Sequence, residues 1–241
     1  VDATQPDDVV GLLTQDQYDV VINLMGAGLA TAEVDPRTLA AVNTDLPAVV
    51  LRTLQDNHGD AQFIHAASST ERTAFDPSDE SDYSRTKHEG SEALRALAGR
   101  SSAPVTLLRM HNTYGPGQPS TRFIAGAISR LASGLPLRLN YPDRVRDFVY
   151  LDDMVDSVIT VMDSQPHGFS ETEIGTGIGS SLQDAALTLA RLLGRPAELV
   201  ESYASSTDDP HPFAVAHVIG GDIGTCTTTL ADGLGRTIGE T

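Results

Sequence analysis

The sequence predicts an α/β protein built on a Rossmann-like, doubly wound parallel sheet, with a smaller C-terminal lobe. Over the first half of the chain, short apolar runs alternate with longer amphipathic stretches, a pattern typical of strands joined by crossover helices. The pattern changes after Gly115-Pro116-Gly117. We therefore divide the chain into residues 1–117, which form the sheet, and residues 118–241, which form mainly the lobe and return strands to the sheet.

The elements of both parts follow from the hydrophobic pattern. In the first part, strands are predicted at residues 18–24, 61–66 and 105–109, and helices at 36–54 and 83–98. In the second part, helices are predicted at 123–133, 154–162 and 182–193, and short strands at 137–139 and 148–151. Residues 202–212 are predicted to form an exposed loop, and residues 220–229 are poor in order-promoting residues.

The beginning of the chain lacks an element that a dinucleotide-binding sheet normally has. Such a sheet opens with a strand, a Gly-rich turn and a helix whose N-terminus holds a pyrophosphate. Here Val1 stands just before the helix that leads to the first strand, so we expect the first β-α-β portion to be missing from this chain. Gly26-Ala27-Gly28 follows that strand, but no third glycine follows it, and a turn is the better interpretation.

Composition argues against several classes of function. The 241 residues carry a formal net charge of -17 and a pI near 4.5, which argues against nucleic acid or an anionic membrane surface as a partner. No apolar run is long enough to span a bilayer, and no secretory signal is visible at the start. The one cysteine, Cys226, fits a reducing compartment. We therefore expect a cytoplasmic protein.

The use of lysine points to one position. Fifteen of the sixteen basic residues are arginine, and the one lysine, Lys87, stands four residues after Tyr83. Residues at this spacing in a helix lie one above the other, so the phenol and the ammonium can face the same cleft. A nearby cation favours the phenolate and lowers a tyrosine pKa from about 10 toward the working pH, as proton transfer requires. Ser68, just past the 61–66 strand, is placed to hydrogen-bond a substrate oxygen; an exposed helical pair and a turn serine are the alternative interpretation.

Four segments in order carry a family pattern. Residues 63–70 form a strand that ends in serine, residues 83–87 read Tyr-x-x-x-Lys, and residues 108–117 read Leu-Arg-Met-His-Asn-Thr-Tyr-Gly-Pro-Gly. Residues 146–153 read Arg-Asp-Phe-Val-Tyr-Leu-Asp-Asp. Together they resemble the extended short-chain dehydrogenase/reductase family, in its NAD-dependent epimerase/dehydratase branch that acts on nucleotide sugars. The resemblance is good over residues 1–193 and weak in the C-terminal tail.

The resemblance implies a catalytic group and a site for NAD or NADP. Tyr83 would be the acid/base, Lys87 would lower its pKa and hold the nicotinamide ribose, and Ser68 would orient the reacting oxygen. Asp2 would contact the adenine, and the segment from Leu24 would lie along the cofactor. For Asn43 a cofactor-side role and a polar residue of a helix interior are equally open. The implied cofactor-binding residues are Asp2, Ala3, Leu24, Met25, Gly26, Asn43, Ala66, Tyr83 and Lys87.

The resemblance further implies a nucleotide-diphosphate sugar as the substrate, a homodimer and no metal. Asn112 and Arg146 match positions that hold the diphosphate, where a guanidinium fork suits phosphate oxygens. Arg122 and Phe123 open the helix that lines the substrate lobe, with core packing as the alternative for Phe123. The segment 141–144, Tyr-Pro-Asp-Arg, replaces a Gly-rich turn before Arg146, which leaves the shape of the phosphate pocket open.

The choice of reaction rests on the residues directly after Ser68. Sugar dehydratases of this family have Asp-Glu after the catalytic threonine, whereas Ser69 and Thr70 stand here, so water elimination lacks its carboxylates. Hydride exchange remains, by an epimerase or a ketoreductase, and the stretch that separates NAD from NADP is absent. The interval from Ser68 to Tyr83 is short and the family's Val-Tyr-Gly turn is missing, which together with the missing N-terminal portion indicates that this sequence omits residues of the working protein. The alternative is a degenerate homologue that cannot hold its dinucleotide. A second hypothesis is a non-catalytic binding or regulatory subunit on the same fold.

Overall fold

The computed structural model describes residues 1–28, 34–71, 81–99, 103–165, 167–203 and 226–239. The chain divides into two compact units. The first unit comprises Val1–Met110 and Ile159–Glu173, and the second comprises His111–Val158 and Ile174–Thr241. Among the described helices, none is long and apolar enough to cross a membrane.

Helices and strands alternate along the first unit. Within the described ranges the α-helices are α1 (Pro6–Leu13), α2 (Pro36–Leu39), α3 (Leu46–Asn57), α4 (Asp82–Ala98), α5 (Phe123–Ala132), α6 (Leu151–Ser164), α7 (Leu182–Leu192) and α8 (Leu230–Gly239). The strands are β1 (Val20–Asn23), β2 (Gln62–Ser68), β3 (Val105–Met110), β4 (Asn112–Tyr114), β5 (Leu137–Leu139), β6 (Val145–Tyr150), β7 (Phe169–Ile174), β8 (Gly179–Ser181) and β9 (Val200–Ser202). A π-helical segment, Ala40–Asp45, joins α2 to α3, and Ala197–Leu199 form a 3-10 turn.

The first unit is built on a four-stranded sheet with the order β1-β2-β3-β7. Strands β1, β2 and β3 run parallel, with Ile22 opposite Ile64 in the register. The side chain of Phe63 packs in a core with residues of α1, α3 and α4. Its neighbour Gln62 must point to the other face, where Gln62 Nε2 donates to the carbonyl of Val161 in α6 at 3.2 Å. Helices thus lie on both faces of the sheet, and the predicted Rossmann-like α/β class is confirmed.

The second unit contains a three-stranded sheet, β4-β6-β8, and a parallel pair, β5-β9. Strands β4 and β6 are parallel, whereas β6 and β8 are antiparallel. The aromatic side chains of Tyr114, Phe148 and Tyr150 pack edge to face at the centre of its core, which α5, α7 and α8 complete.

Several elements depart from the sequence prediction. The hydrophobic pattern does not predict β4, β7, β8, β9 or α8 as separate elements. Strand β7 is mostly polar, and α8 contains three glycines. Leu151 opens α6 and does not end the strand predicted at 148–151, since Asp152 and Asp153 suit the first turn of a helix. Ser202 ends β9, and most of the loop predicted at 202–212 and of the tract 220–229 lies outside the described residues.

Candidate functional site

The loop after β1 is held by side chains from three other elements. Asn23 ends β1, and its Oδ1 accepts a hydrogen bond from the backbone N–H of Met25 at 3.0 Å. The next residues, 26–28, pass beside the Lys87 side chain of α4. Lys87 Nζ donates to the carbonyl of Met25 at 3.4 Å and to the carbonyl of Ala66 in β2 at 2.8 Å. One ammonium therefore ties together the loop and the end of the central strand.

Lys87 is a buried cation on a well-capped helix. Its side chain lies inside the first unit, with 3% of the residue exposed. The helix begins after Ser81, whose Oγ accepts from the N–H of Ser84, and Asp82 stands in the first turn, where a negative charge is favourable. Burial lowers the pKa of the Lys87 ammonium, and the negative charge of Glu71 partly offsets that effect.

Tyr83 lies one helical turn before Lys87, on the same face of α4, and is half-buried. Gly28 has a φ of 89°, a left-handed conformation that favours glycine, and a Cβ built on it would stand 3.5 Å from Tyr83 Cδ2. A Cβ on Gly26 would stand 3.6 Å from Lys87 Cε. The phenol and the ammonium thus border the same glycine-containing loop, as the spacing of the two residues predicts.

Asn43 connects this loop to α4. It lies in the π-helical segment, is fully buried, and its amide makes three hydrogen bonds. Asn43 Oδ1 accepts from the N–H of Ala27 at 2.9 Å, and Nδ2 donates to the carbonyl of Ala27 at 3.0 Å and to Thr86 Oγ1 at 3.0 Å. A π-helical turn often marks a functional position. Asn43 is thus a buried polar residue of a helix whose amide fixes the backbone of the loop, and its cofactor-side role stays a prediction.

Gly90 lets α4 approach the π-helical segment closely. A Cβ on Gly90 would stand 2.1 Å from the carbonyl oxygen of Asn43 and 3.4 Å from Thr44 Cα. Thr44 Oγ1 also donates to the carbonyl of Thr86 at 3.0 Å. The close packing of the Asn43 backbone against α4 therefore requires glycine at position 90.

Ser68 is the last residue of β2 and is nearly buried, with 9% of the residue exposed. Its Oγ lies 2.9 Å from Thr70 Oγ1 and accepts from the N–H of Thr70 at 3.3 Å. Its N–H donates to Glu71 Oε1 at 2.7 Å. Ala66, two residues earlier in the same strand, supplies the carbonyl that Lys87 binds. The end of β2 thus carries both the predicted serine and the carbonyl group that accepts a hydrogen bond from Lys87.

The two residues predicted at the adenine side lie at the start of the chain. Asp2 Oδ1 accepts from the N–H of Thr4 at 2.9 Å and from its hydroxyl at 2.8 Å, and these bonds lower the pKa of the Asp2 carboxyl. Ala3 is partly buried and packs against the first core. Leu24 and Met25 expose 62% and 41% of their surface, so the loop presents apolar side chains outward.

The four predicted substrate residues belong to the second unit. Asn112 opens β4 opposite Phe148, and Arg122 is the N-cap residue of α5. Phe123 stacks on Phe148 with 6.2 Å between the ring centroids, so it contributes to the core of this unit. Arg146 lies in β6, where its Nη1 donates to the carbonyl of Val145.

Sequence reasoning does not identify a set of buried polar residues around this site. Glu71 and His65 are fully buried, and Arg109 is 9% exposed. His65 Nδ1 lies 3.1 Å from Asn23 Nδ2, and burial together with the charge of Lys87 holds the pKa of His65 well below its ordinary value. Polar residues within an apolar strand and directly after it are the signal that could have found them. Among the described residues there is no group of three His, Cys, Asp or Glu side chains that could hold a metal ion.

Comparison with known proteins gives a consistent result. Residues 1–175 match the model of the NAD dependent epimerase/dehydratase family. A dTDP-L-rhamnose 4-epimerase of Burkholderia thailandensis is 33% identical over 141 residues, which are 56% of this chain and 39% of that protein. A dTDP-glucose 4,6-dehydratase of Mycobacterium tuberculosis is 31% identical over 107 residues, 44% of this chain and 32% of that protein. The chain thus spans at most about two fifths of these relatives' length.

Solved structures share the fold at low identity. A UDP-glucose 4-epimerase of Thermotoga maritima, determined with UDP-glucose, has a TM-score of 0.83 at 19% identity and covers 100% of this chain and 82% of its own. A dTDP-glucose 4,6-dehydratase of Bacillus anthracis, in complex with NAD, has a TM-score of 0.80 at 15% identity and covers 99% of this chain and 77% of its own. At these identities the likeness shows the fold.

Proposed function

The chain belongs to the NAD dependent epimerase/dehydratase family, and we propose that it works as an epimerase or ketoreductase on a nucleotide-diphosphate sugar with NAD or NADP. The observation that carries the proposal is the position of Lys87. A cation that is 3% exposed, one helical turn after a tyrosine, borders the same loop as that tyrosine and is hydrogen-bonded to the end of β2. A cation needed only for surface charge would not be buried in this way.

The residues of the loop fit a nicotinamide cofactor. A Cβ on Gly26 would stand 3.6 Å from Lys87 Cε, and a Cβ on Gly28 would stand 3.5 Å from Tyr83 Cδ2 and 2.6 Å from Leu39 Cδ2, so glycine at both positions leaves room beside these side chains. In this proposal Tyr83, Lys87, Asn43, Ala66 and the 24–26 segment hold the nicotinamide end, and Asp2 and Ala3 the adenine end. When bound, the cofactor accepts and returns hydride, the chemistry that the chain's own side chains do not supply.

Tyr83 and Lys87 would move the proton. Because the ammonium is buried, solvent and salt screen its charge little, so it favours the phenolate of a neighbouring tyrosine. Tyr83 Oη then takes the proton of the sugar hydroxyl that is oxidised and gives it back when the carbonyl is reduced. Ser68 Oγ would hydrogen-bond the same sugar oxygen and orient it.

The second unit carries the residues that we propose for binding the diphosphate of a nucleotide sugar. Arg146 and Asn112 supply the donors that a diphosphate needs, and Arg122 adds a second guanidinium at the start of α5. Phe123 supports this region through its packing on Phe148. Arg144 is a further cation here, and its guanidinium carbon lies 3.7 Å from the ring centroid of Tyr141.

The state of the first carboxylate after Ser68 in the sequence favours hydride exchange over water elimination. Ser69 and Thr70 come directly after Ser68, and the next residue, Glu71, is fully buried. Its two oxygens are engaged by Ser68 N–H, Ser91 and Arg109. A carboxylate held in this way is not placed to add or remove the protons of an elimination. Epimerase and ketoreductase remain together in the proposal.

We include a homodimer in this proposal, on the strength of the family resemblance alone. Light scattering of the purified protein at several concentrations tests it. A mass of two chains supports the dimer, and a mass of one chain at all concentrations contradicts it.

A screen of nucleotide-diphosphate sugars with NAD, NADP and their reduced forms tests the function. Product formation or exchange of a sugar proton is followed by NMR, with the wild-type protein, Tyr83→Phe and the control Tyr203→Phe. Tyr203 is half-exposed and its hydroxyl bonds Glu201 at 3.0 Å, far along the chain from α4. Turnover by wild type and Tyr203→Phe, with loss in Tyr83→Phe, supports the proposal. A protein that binds none of the four cofactors is a binding or regulatory subunit instead.

A further inference from the structure

A second charged group is buried next to Lys87. Glu71, fully buried, accepts three hydrogen bonds from three elements. Its Oε1 accepts from the N–H of Ser68 at the end of β2, at 2.7 Å. Its Oε2 accepts from Ser91 Oγ in α4 at 2.7 Å and from Arg109 Nη1 in β3 at 2.9 Å. The carboxylate therefore joins the strand that carries Ser68 to the helix that carries Lys87.

The neighbouring charges show that Arg109 is not partnered by Glu71 alone. Arg109 Nη2 lies 3.3 Å from Glu171 in β7, which also pairs with Arg95 of α4. Arg109 thus has a second carboxylate, and Arg95 lies on the half-exposed side of the network. Burial raises the pKa of the Glu71 carboxyl, and the charge of Arg109 is the largest of the influences that oppose this rise. The partners of Glu71 thus favour its charged form.

Ser91 connects Glu71 to α4, the helix that carries Lys87. Ser91 lies four residues after Lys87, so the two side chains stand one above the other on α4. Ser91 Oγ donates to Glu71. Lys87 Nζ donates to the carbonyl of Ala66, and Glu71 accepts from the N–H of Ser68, two residues later in the same strand. The charges of Glu71 and Lys87 act on each other, and water screens two buried charges little.

We infer that Glu71 is a positioning residue of the proposed enzyme: it serves as the buried counter-ion that keeps Lys87 an ammonium, and its bond to the Ser68 N–H fixes that serine. The inference rests on the proposed function for its catalytic meaning. The effect of Glu71 on the pKa of Lys87 does not depend on the proposed function, because it concerns two groups of this chain. Within the part of the chain that the structure describes, the charged or titratable groups around the pair include Arg109 of β3, Glu171 of β7, His65 of β2 and Tyr83 of α4, and they stay in place in the test.

The lone lysine of the sequence makes the test direct. Isotopically labelled lysine gives an NMR signal for Lys87, assigned by its loss in Lys87→Met, and its titration is followed in the cofactor-free protein. Glu71→Gln removes the charge and keeps the shape, whereas Ser91→Ala removes one hydrogen bond of Glu71 and no charge. We expect the pKa of Lys87 to fall by about one unit or more in Glu71→Gln and to stay within a few tenths in Ser91→Ala.

A charge moved to the helix provides a second variant. Since Ser91 Oγ is 2.7 Å from Glu71 Oε2, Ser91→Glu in a Glu71→Ala background returns a carboxylate to the same place. We expect this double variant to restore most of the Lys87 pKa that Glu71→Ala alone lowers. In turnover assays, Glu71→Gln is expected to move the alkaline limb of the kcat profile to lower pH by the same amount as the Lys87 pKa, with KM changed less than about twofold.

The outcomes separate this inference from the proposed function. A Lys87 pKa that is unchanged in Glu71→Gln, or shifted equally in Ser91→Ala, overturns the inference whether or not the protein turns over a sugar. Absence of turnover by the wild type, with the Lys87 pKa shifted as expected, contradicts the proposed function and leaves the electrostatic coupling of Glu71 and Lys87 established.

Discussion

Gly90→Ala tests the packing that holds the candidate site. In an open helix interior, replacing glycine with alanine stabilises a protein by about 1 kcal/mol, because glycine loses more conformational freedom on folding. At position 90 the added Cβ would lie 2.1 Å from the carbonyl oxygen of Asn43 and 3.2 Å from its carbonyl carbon. Ordinary van der Waals contacts of a Cβ begin at 3.4 Å, so α4 or the π-helical segment must move by about 1 Å.

The displacement has an energetic and a structural consequence. A clash this close to backbone atoms lies at the upper end of the cost of overpacking, about 2–3 kcal/mol. After the helix-propensity gain is subtracted, a net loss of about 1–2 kcal/mol lowers the melting temperature by about 2–8 °C for a chain of this size. The three hydrogen bonds of Asn43, at 2.9, 3.0 and 3.0 Å, are lengthened by the same movement. We therefore expect weaker binding of NAD or NADP as well as lower stability.

Gly235→Ala is the matched control. Gly235 lies in the interior of α8, and a Cβ built on it meets nothing within 4 Å. Urea unfolding should show Gly235→Ala to be as stable as the wild type or more stable, and Gly90→Ala to be less stable. A Gly90→Ala variant that is more stable than the wild type would refute the close approach of α4 to the π-helical segment.

Two further predictions concern buried charges. Burial lowers the folded-state pKa of Lys87 below its ordinary 10.5, so the unfolded chain binds that proton more tightly. The contribution of Lys87 to the free energy of unfolding is therefore full above pH 10.5 and is lost as the pH falls through the folded-state pKa. Urea unfolding should thus show wild type gaining stability relative to Lys87→Met as the pH rises over that interval, and a constant difference would contradict it. In the second unit, Asp147 accepts from Thr176 N–H at 3.0 Å, from its hydroxyl at 2.6 Å and from Gly177 N–H at 2.9 Å. Asp147→Ala should lower the free energy of unfolding by about 3 kcal/mol and the exposed control Asp143→Ala by less than about 0.5 kcal/mol; equal effects would show that these bonds do not stabilise the segment.

Local patterns predict the parts of the fold that depend on local physics. The apolar run that becomes β3 and the amphipathic stretch that becomes α4 lie within one residue of their predicted bounds, because their burial pattern repeats with the period of a strand or a helix. The same period places Tyr83 and Lys87 on one face of α4. Strand β7 escapes prediction because its glutamates make it polar, and only the distant Arg95 and Arg109 show why Glu171 is tolerated there.

The site shows the same division. The residues that obey a helix or strand period can be identified from the sequence, whereas Glu71 cannot, because its meaning lies in contacts with Ser91 and Arg109 that are 20 and 38 residues away. For Asn43 the sequence leaves two roles open, since a π-helical turn has no clear signature and its partner Ala27 lies in another element.

In the proposed mechanism, Tyr83, beside the buried Lys87, moves the proton while hydride passes between a sugar and the nicotinamide. The most direct measurement mixes the protein with NAD and a set of nucleotide-diphosphate sugars and records the absorbance of reduced nicotinamide, in wild type and in Tyr83→Phe with matched cofactor occupancy. We predict that at least one sugar reduces the nicotinamide in the wild type and that Tyr83→Phe slows this step by about 10²–10⁴-fold. An equal rate of reduction in Tyr83→Phe would contradict it.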